Sequence, residues 1–313
     1  MNARIVYLFP GQGSQQVGMG ANLYRAYPEA RRRFEQADEI LAFRLSRLCF
    51  EGPSPDLDRD LNAQLAVYTV SCILTDVLKK QVAIVPDVVT GYSSGYYAAA
   101  YAAGGFDFAT GLGIVKRAGE MLLEEGRRFD GRMAVIFGLP HEEVTAICAQ
   151  DGDVDVAILN TARQIVISGS APAVDRTMAR CLAAGALDAY ELPAETAYHS
   201  RFMTGASSRF VNEIPLDNLA DPHTPIISYA TLDRATDKKA LSGTMASQLV
   251  NTVRWFDVIR MLNAESENRF IEVGPGAVIA RAVRWIDRRI KVASAGAVAE
   301  LARLIPTRTR GKK

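Results

Sequence analysis

Ser93 stands between two glycines in Gly91-Tyr92-Ser93-Ser94-Gly95, a GxSxG sequence. A hydroxyl at that spacing is a candidate nucleophile when the five residues join a strand to a helix. The sharp turn lifts the serine out of the chain, and glycines flank it because neighbouring backbone comes too close for a Cβ. The helix that follows aims its unpaired N–H groups and positive dipole end at the same point, where a substrate oxygen would gain charge. An ordinary Gly/Ser turn fits the pattern too, so the surroundings decide. A serine needs a base, and the chain holds three histidines. His141 follows Pro140 at a helix start, and His223 lies in Asp221-Pro222-His223-Thr224-Pro225; both read as surface residues. His199, in Ala197-Tyr198-His199-Ser200, is the better candidate, because there the chain leaves one unit for another and a cleft between the two would contain it.

The elements that must position these groups follow from the pattern of apolar residues. Residues 5–9 predict a buried strand running into the loop Pro10-Gly11-Gln12-Gly13-Ser14-Gln15, and 63–79 a largely buried helix. A strand over 84–90 then leads into the serine turn. An Ala/Tyr helix follows, stopped by Gly104-Gly105, and Asp107 caps the next helix, which carries Lys116 and Arg117. From Arg132 the rhythm changes to strand, helix, strand, strand, helix, strand, the βαββαβ order of a ferredoxin-like unit. Afterwards the α/β pattern resumes with a helix around 256–262, a strand at 270–273, the turn Gly274-Pro275-Gly276 and a basic helix to about 290. The expected fold class is therefore α/β, with a parallel-sheet core resembling an α/β-hydrolase over 1–130 and 197–313 and an inserted ferredoxin-like subdomain over 131–196. The charged end, TRTRGKK, is expected to be unstructured.

Bulk composition narrows the function. A chain of 313 residues that is 49% hydrophobic can bury a large core. Its 36 Lys and Arg against 35 Asp and Glu leave no basic excess to drive nucleic-acid binding. Cys49, Cys72, Cys148 and Cys181 show no CxxC spacing, which argues against a zinc site or a disulfide framework and suits a reducing, cytoplasmic setting. The apolar run at 5–9 is too short for a signal-peptide core or a membrane span, so no membrane is expected.

Several motifs in one order are more specific than any of them alone. LFPGQGSQQVGMG, GYSSG, Lys116-Arg117 with Gly119, Asn160 followed by Gln164-Ile165-Val166-Ile167-Ser168-Gly169, AYHS, QLVNTVRW at 248–255 and EVGPG at 272–276 together resemble the malonyl-CoA:acyl carrier protein transacylase family over residues 5–290. The resemblance implies Ser93 as acylated nucleophile and His199 as its base, with the imidazole oriented by the backbone carbonyl of Gln248 rather than by an acid. It implies an oxyanion hole from the N–H groups of Gln12 and Ser94, and a pocket lined by Gln64, Tyr92, Asn160 and Tyr198. Arg117 would grip the malonyl carboxylate through paired charge-assisted hydrogen bonds; the plainer reading makes Lys116-Arg117 a solvated helix face. No metal or bound cofactor is implied. The partners would be malonyl-CoA, as the CoA thioester, and the phosphopantetheine thiol of an acyl carrier protein, with Arg127-Arg128, Arg284 and Arg288-Arg289 as candidate docking cations for an acidic carrier. Tyr92, Tyr96 and Thr252 depart from the family's usual histidine, acidic residue and proline. Two rival readings remain open: a proofreading acyl hydrolase that completes the reaction with water, and a non-catalytic carrier-binding component of a synthase.

Overall fold

In the computed structural model, residues 3–214 and 216–304 are described; the tail 307–313 lies outside them. The strands are β1 (Arg4–Phe9), β2 (Val88–Gly91), β3 (Gly131–Phe137), β4 (Val154–Thr161), β5 (Gln164–Ser170), β6 (Asp188–Glu191), β7 (Ile226–Ile227), β8 (Arg234–Ala235), β9 (Asn268–Glu272) and β10 (Val292–Ser294). They form two sheets. The larger runs β10-β9-β1-β2-β7-β8, parallel except at the β7/β8 edge, and the smaller runs β4-β5-β3-β6 with every pair antiparallel.

Val6, Tyr7, Leu8 and Phe9 of β1 are all buried, as a strand covered by helices on both faces requires. The helix Asp60–Val77, apolar on several sides and buried almost throughout, shares one hydrophobic core with it. The span Asp60–Val82 is long and apolar enough to cross a membrane, but it is packed largely inside the protein. The strand expected over 84–90 begins only at Val88. Before it Val85 is 56% exposed, Pro86 has no N–H to give a ladder, and the Asp87 carboxylate instead accepts from the Ile5 amide at 2.8 Å. Asp107 caps the helix Phe108–Gly126 as expected, accepting from the Thr110 amide at 2.8 Å. In EVGPG, fully buried Glu272 accepts from the amides of Ile279 (2.9 Å) and Ala280 (2.8 Å), so its carboxylate ties β9 to the start of the helix Val278–Ile286. That helix ends earlier than the expected 290.

The small sheet shows the alternation of a two-faced sheet. Ala134, Ile136, Ile165 and Ile167 pack with Val144 and Cys148 of the helix His141–Asp151 and with Val174 and Cys181 of the helix Ala171–Ala183. Met133, Val135, Ile158 and Val166 point the other way and join the main core. The strand order and the two helices on one face make this unit ferredoxin-like. Its free apolar face closes over the C-terminal end of β2, where the serine turn begins.

Candidate active site

β2 ends at Gly91, and the helix Gly95–Ala102 begins four residues later. Between them Ser93 takes φ 51°, the left-handed region that non-glycine residues seldom occupy. The flanking glycines are required by contact. A Cβ at Gly91 would collide with the backbone of Gly95 and Tyr96, and one at Gly95 with the carbonyl oxygen of Phe9. The turn is therefore pressed against the end of β1, and Tyr92 N–H donates to Phe9 O at 2.8 Å.

His199 also holds a left-handed backbone, φ 55°. Its Nε2 lies 2.8 Å from Ser93 Oγ, and its Nδ1 lies 3.1 Å from the Gln248 carbonyl oxygen. A carbonyl can only accept, so Nδ1 carries the hydrogen and Nε2 presents its lone pair to the serine. No carboxylate is needed to fix that tautomer. The Tyr229 hydroxyl donates to the same carbonyl at 3.3 Å, and its ring meets the imidazole edge-on with centroids 6.0 Å apart. Burial pushes the His199 pKa down from 6.5 to about 4, against an opposing pull from the Gln248 carbonyl. The imidazole is thereby kept neutral, the form that can accept a proton.

A second network places the loop after β1. Gln12 N–H donates to Ser94 Oγ at 3.1 Å, setting that amide beside the turn. The Gln12 side chain accepts from Gln64 Nε2 at 3.1 Å and donates to Asp60 Oδ1. Asp60, 1% exposed, also accepts from the Tyr198 hydroxyl at 2.6 Å and the Glu195 amide at 2.9 Å. Burial raises its pKa, while these donors pull it back. Asp60 thus joins the Gln12 loop, the long buried helix and the segment carrying His199. Sequence reading missed it: an acidic residue at a helix start reads as a first-turn charge. Tyr92 O–H donates to Asn160 Oδ1 at 2.8 Å, linking the turn to β4 of the small sheet.

Ser93, His199, Gln12, Ser94, Gln64, Tyr92, Asn160, Tyr198 and Gln248 all line one cavity of about 570 Å³. Arg117 does not, which corrects the expectation that it grips a substrate carboxylate. Its Nε donates to Glu213 at 2.6 Å, and Nη1 reaches Glu124 at 3.3 Å and Glu120 at 3.4 Å on the outer face of the helix Phe108–Gly126. The plainer surface reading holds. Neighbouring Ala118 is fully buried, and Leu122, one turn further on, lines the cavity. Tyr96 is buried in the core, and Thr252 O–H donates to Val156 O at 2.7 Å, bracing β4. Neither lines the cavity.

A family model described as "Acyl transferase domain" matches residues 6–311. A malonyl CoA-acyl carrier protein transacylase of Bacillus subtilis is 36% identical over 293 residues, covering 92% of each chain. Among solved structures, the malonyl CoA-acyl carrier protein transacylase of Coxiella burnetii superposes with a TM-score of 0.93 at 29% identity, over 97% of this chain and 98% of that one. A malonyl-transacylase in complex with a type II polyketide synthase acyl carrier protein does so with a TM-score of 0.91 at 28% identity, over 97% and 99%.

Proposed function

The chain belongs to the acyl transferase domain family and is an acyltransferase, and from that premise we propose that it moves an acyl group from coenzyme A to the phosphopantetheine thiol of an acyl carrier protein through an ester on Ser93. The observation that carries this reading is the 2.8 Å contact between Ser93 Oγ and a neutral His199 Nε2. In the first half-reaction Ser93 Oγ attacks the thioester carbonyl carbon as its proton passes to Nε2. The C–O bond forms, the carbonyl electrons move onto oxygen, and their return breaks the C–S bond. The departing CoA sulfur takes the proton from Nε2. In the second half-reaction the carrier thiol gives its proton to Nε2, attacks the serine ester, and Ser93 recovers its hydroxyl. The Gln12 and Ser94 amides beside the turn stabilise the oxyanion, Gln12 exchanging the Ser94 hydroxyl for it.

Likeness to a transacylase complexed with its carrier supports an acyl carrier protein as acceptor. Arg284 and Arg288 are exposed and present positive charge to an acidic carrier, whereas Arg128 and Arg289 are engaged by Glu125 and Asp287. Buried thiols at all four cysteines suit the cytoplasmic setting.

A second reading is favoured by one observation. A carboxylate clamp would be of no use to a hydrolase of assorted acyl chains, and Arg117, the expected clamp, is outside the cavity, so water as second acceptor stands as the rival. Intact-mass analysis tests both: the wild type gains an acyl adduct from an acyl-CoA and Ser93→Ala does not. An adduct on Ser93→Ala, or neither adduct nor CoA release from the wild type, sinks the acyl-enzyme. Free CoA released steadily without carrier protein would select the hydrolase.

A further inference from the structure

We propose that the acyl group carried by this site is uncharged, an alkanoyl thioester rather than a carboxylated one such as malonyl. The inference rests on the Ser93 acyl-enzyme reading. A carboxylate brought into a cavity needs a cation, because losing its water is costly unless it is paired. Among the described residues, no lysine or arginine lines this cavity. Arg117 is committed to Glu213, Glu124 and Glu120 on the far side of its helix, and the residues that helix turns inward near the site are Ala118 and Leu122.

The charge that is present has the wrong sign for a carboxylate. Asp58 lines the cavity, and Asp60 lies directly behind Gln12 and Tyr198. Arg59, between them in sequence, is exposed and does not line it. The amides of Gln64 and Asn160 are neutral, and each is already engaged, by Gln12 and by the Tyr92 hydroxyl. They can orient a thioester carbonyl but cannot compensate a full negative charge.

The wall opposite is apolar. Met133 and Val135 of β3, Ile158 of β4 and Val166 of β5 present the free face of the small sheet, and Leu122 and Leu192 flank it. An alkyl chain laid on such a surface gains about fourfold in affinity per methylene, the equivalent of its transfer free energy.

The test is acylation of the wild type by acetyl-, butyryl-, hexanoyl-, malonyl- and methylmalonyl-CoA, followed by rapid quench and intact mass. Butyryl or hexanoyl is expected to load Ser93 at least about tenfold faster than malonyl, and Arg117→Ala to leave that ratio unchanged. Malonyl loading as fast as the best alkanoyl thioester, or a ratio that collapses in Arg117→Ala, overturns the proposal. Calorimetric binding of hexanoyl-CoA and malonyl-CoA to Ser93→Ala separates this from failure of the acyl-enzyme reading. If no thioester labels the wild type yet hexanoyl-CoA binds the variant more tightly, the pocket assignment stands and only the nucleophile falls. Equal or tighter malonyl binding overturns it.

Discussion

Ser93 Oγ and His199 Nε2 lie 2.8 Å apart although 106 residues separate them along the chain. One sits on a turn of the parallel sheet, the other on the strap returning from the small sheet, and the Gln248 carbonyl fixes the imidazole between them. The contact makes the protonation state of His199 the first thing to measure.

His199 accepts a proton only when neutral, and its folded-state pKa is about 4 against 6.5 for an ordinary, hydrated histidine. The Ser93 acylation rate should therefore hold a plateau as pH falls and decline only near 4. Stability follows the same two values. Above 6.5 the contribution is fully present; as pH falls from 6.5 to 4 the unfolded chain takes up the proton and the folded one does not, removing about 3 kcal/mol. Single-turnover acylation and urea unfolding across this range check both, with His199→Gln as the variant that loses the dependence. A rate limb near 6.5 would mean a hydrated imidazole.

Arg117→Ala should leave acylation by every thioester within about twofold, since exposed ion pairs contribute little and the guanidinium does not line the cavity. Arg117→Glu should lower the melting temperature by setting a further carboxylate among Glu213, Glu124 and Glu120. A large fall in acylation for Arg117→Ala with unchanged melting would place the side chain back in the site.

The arginine also shows how the sequence misleads and how it could have been read better. One residue along a helix is a rotation of about 100°, so Arg117 and buried Ala118 face different surroundings. Arg117, Glu120 and Glu124 fall at i, i+3 and i+7, a charged stripe on one face that was open to inspection in the sequence. The serine turn was legible because glycine spacing and an apolar run carry it, and His199 because few histidines compete. The Gln248 carbonyl was reachable only through family resemblance, since a backbone oxygen leaves no mark on residue type. Two-residue strands such as β7 and β8 are too short to show alternation, and Asp60 acts through partners far away in the chain.

Asp60→Ala should cost about 2–4 kcal/mol, because it strands the Tyr198 hydroxyl, the Gln12 amide and the Glu195 N–H. Asp60→Asn, which keeps one acceptor, should cost less. Denaturant melts measure the loss, and acylation should slow in both variants as Gln12 loses its anchor. Unchanged acylation in a destabilised Asp60→Ala would show that the Gln12 loop holds its place without it.

Glu272→Ala should destabilise by about 2–3 kcal/mol with little change in acylation at low temperature, since Ile279 and Ala280 lose their buried acceptor while the cavity is untouched. Urea midpoints for Glu272→Ala and Glu272→Gln read it out. Equal midpoints for wild type and Glu272→Ala would contradict the tie between β9 and the helix Val278–Ile286.

The left-handed backbone at Ser93 sets folding and turnover against each other. Glycine takes φ 51° freely, so a Ser93→Gly chain sheds the strain of its turn together with its chemistry. A lineage relieved of the need for this reaction would find that drift to glycine at this position is downhill, and the inert descendants would be the sturdier ones.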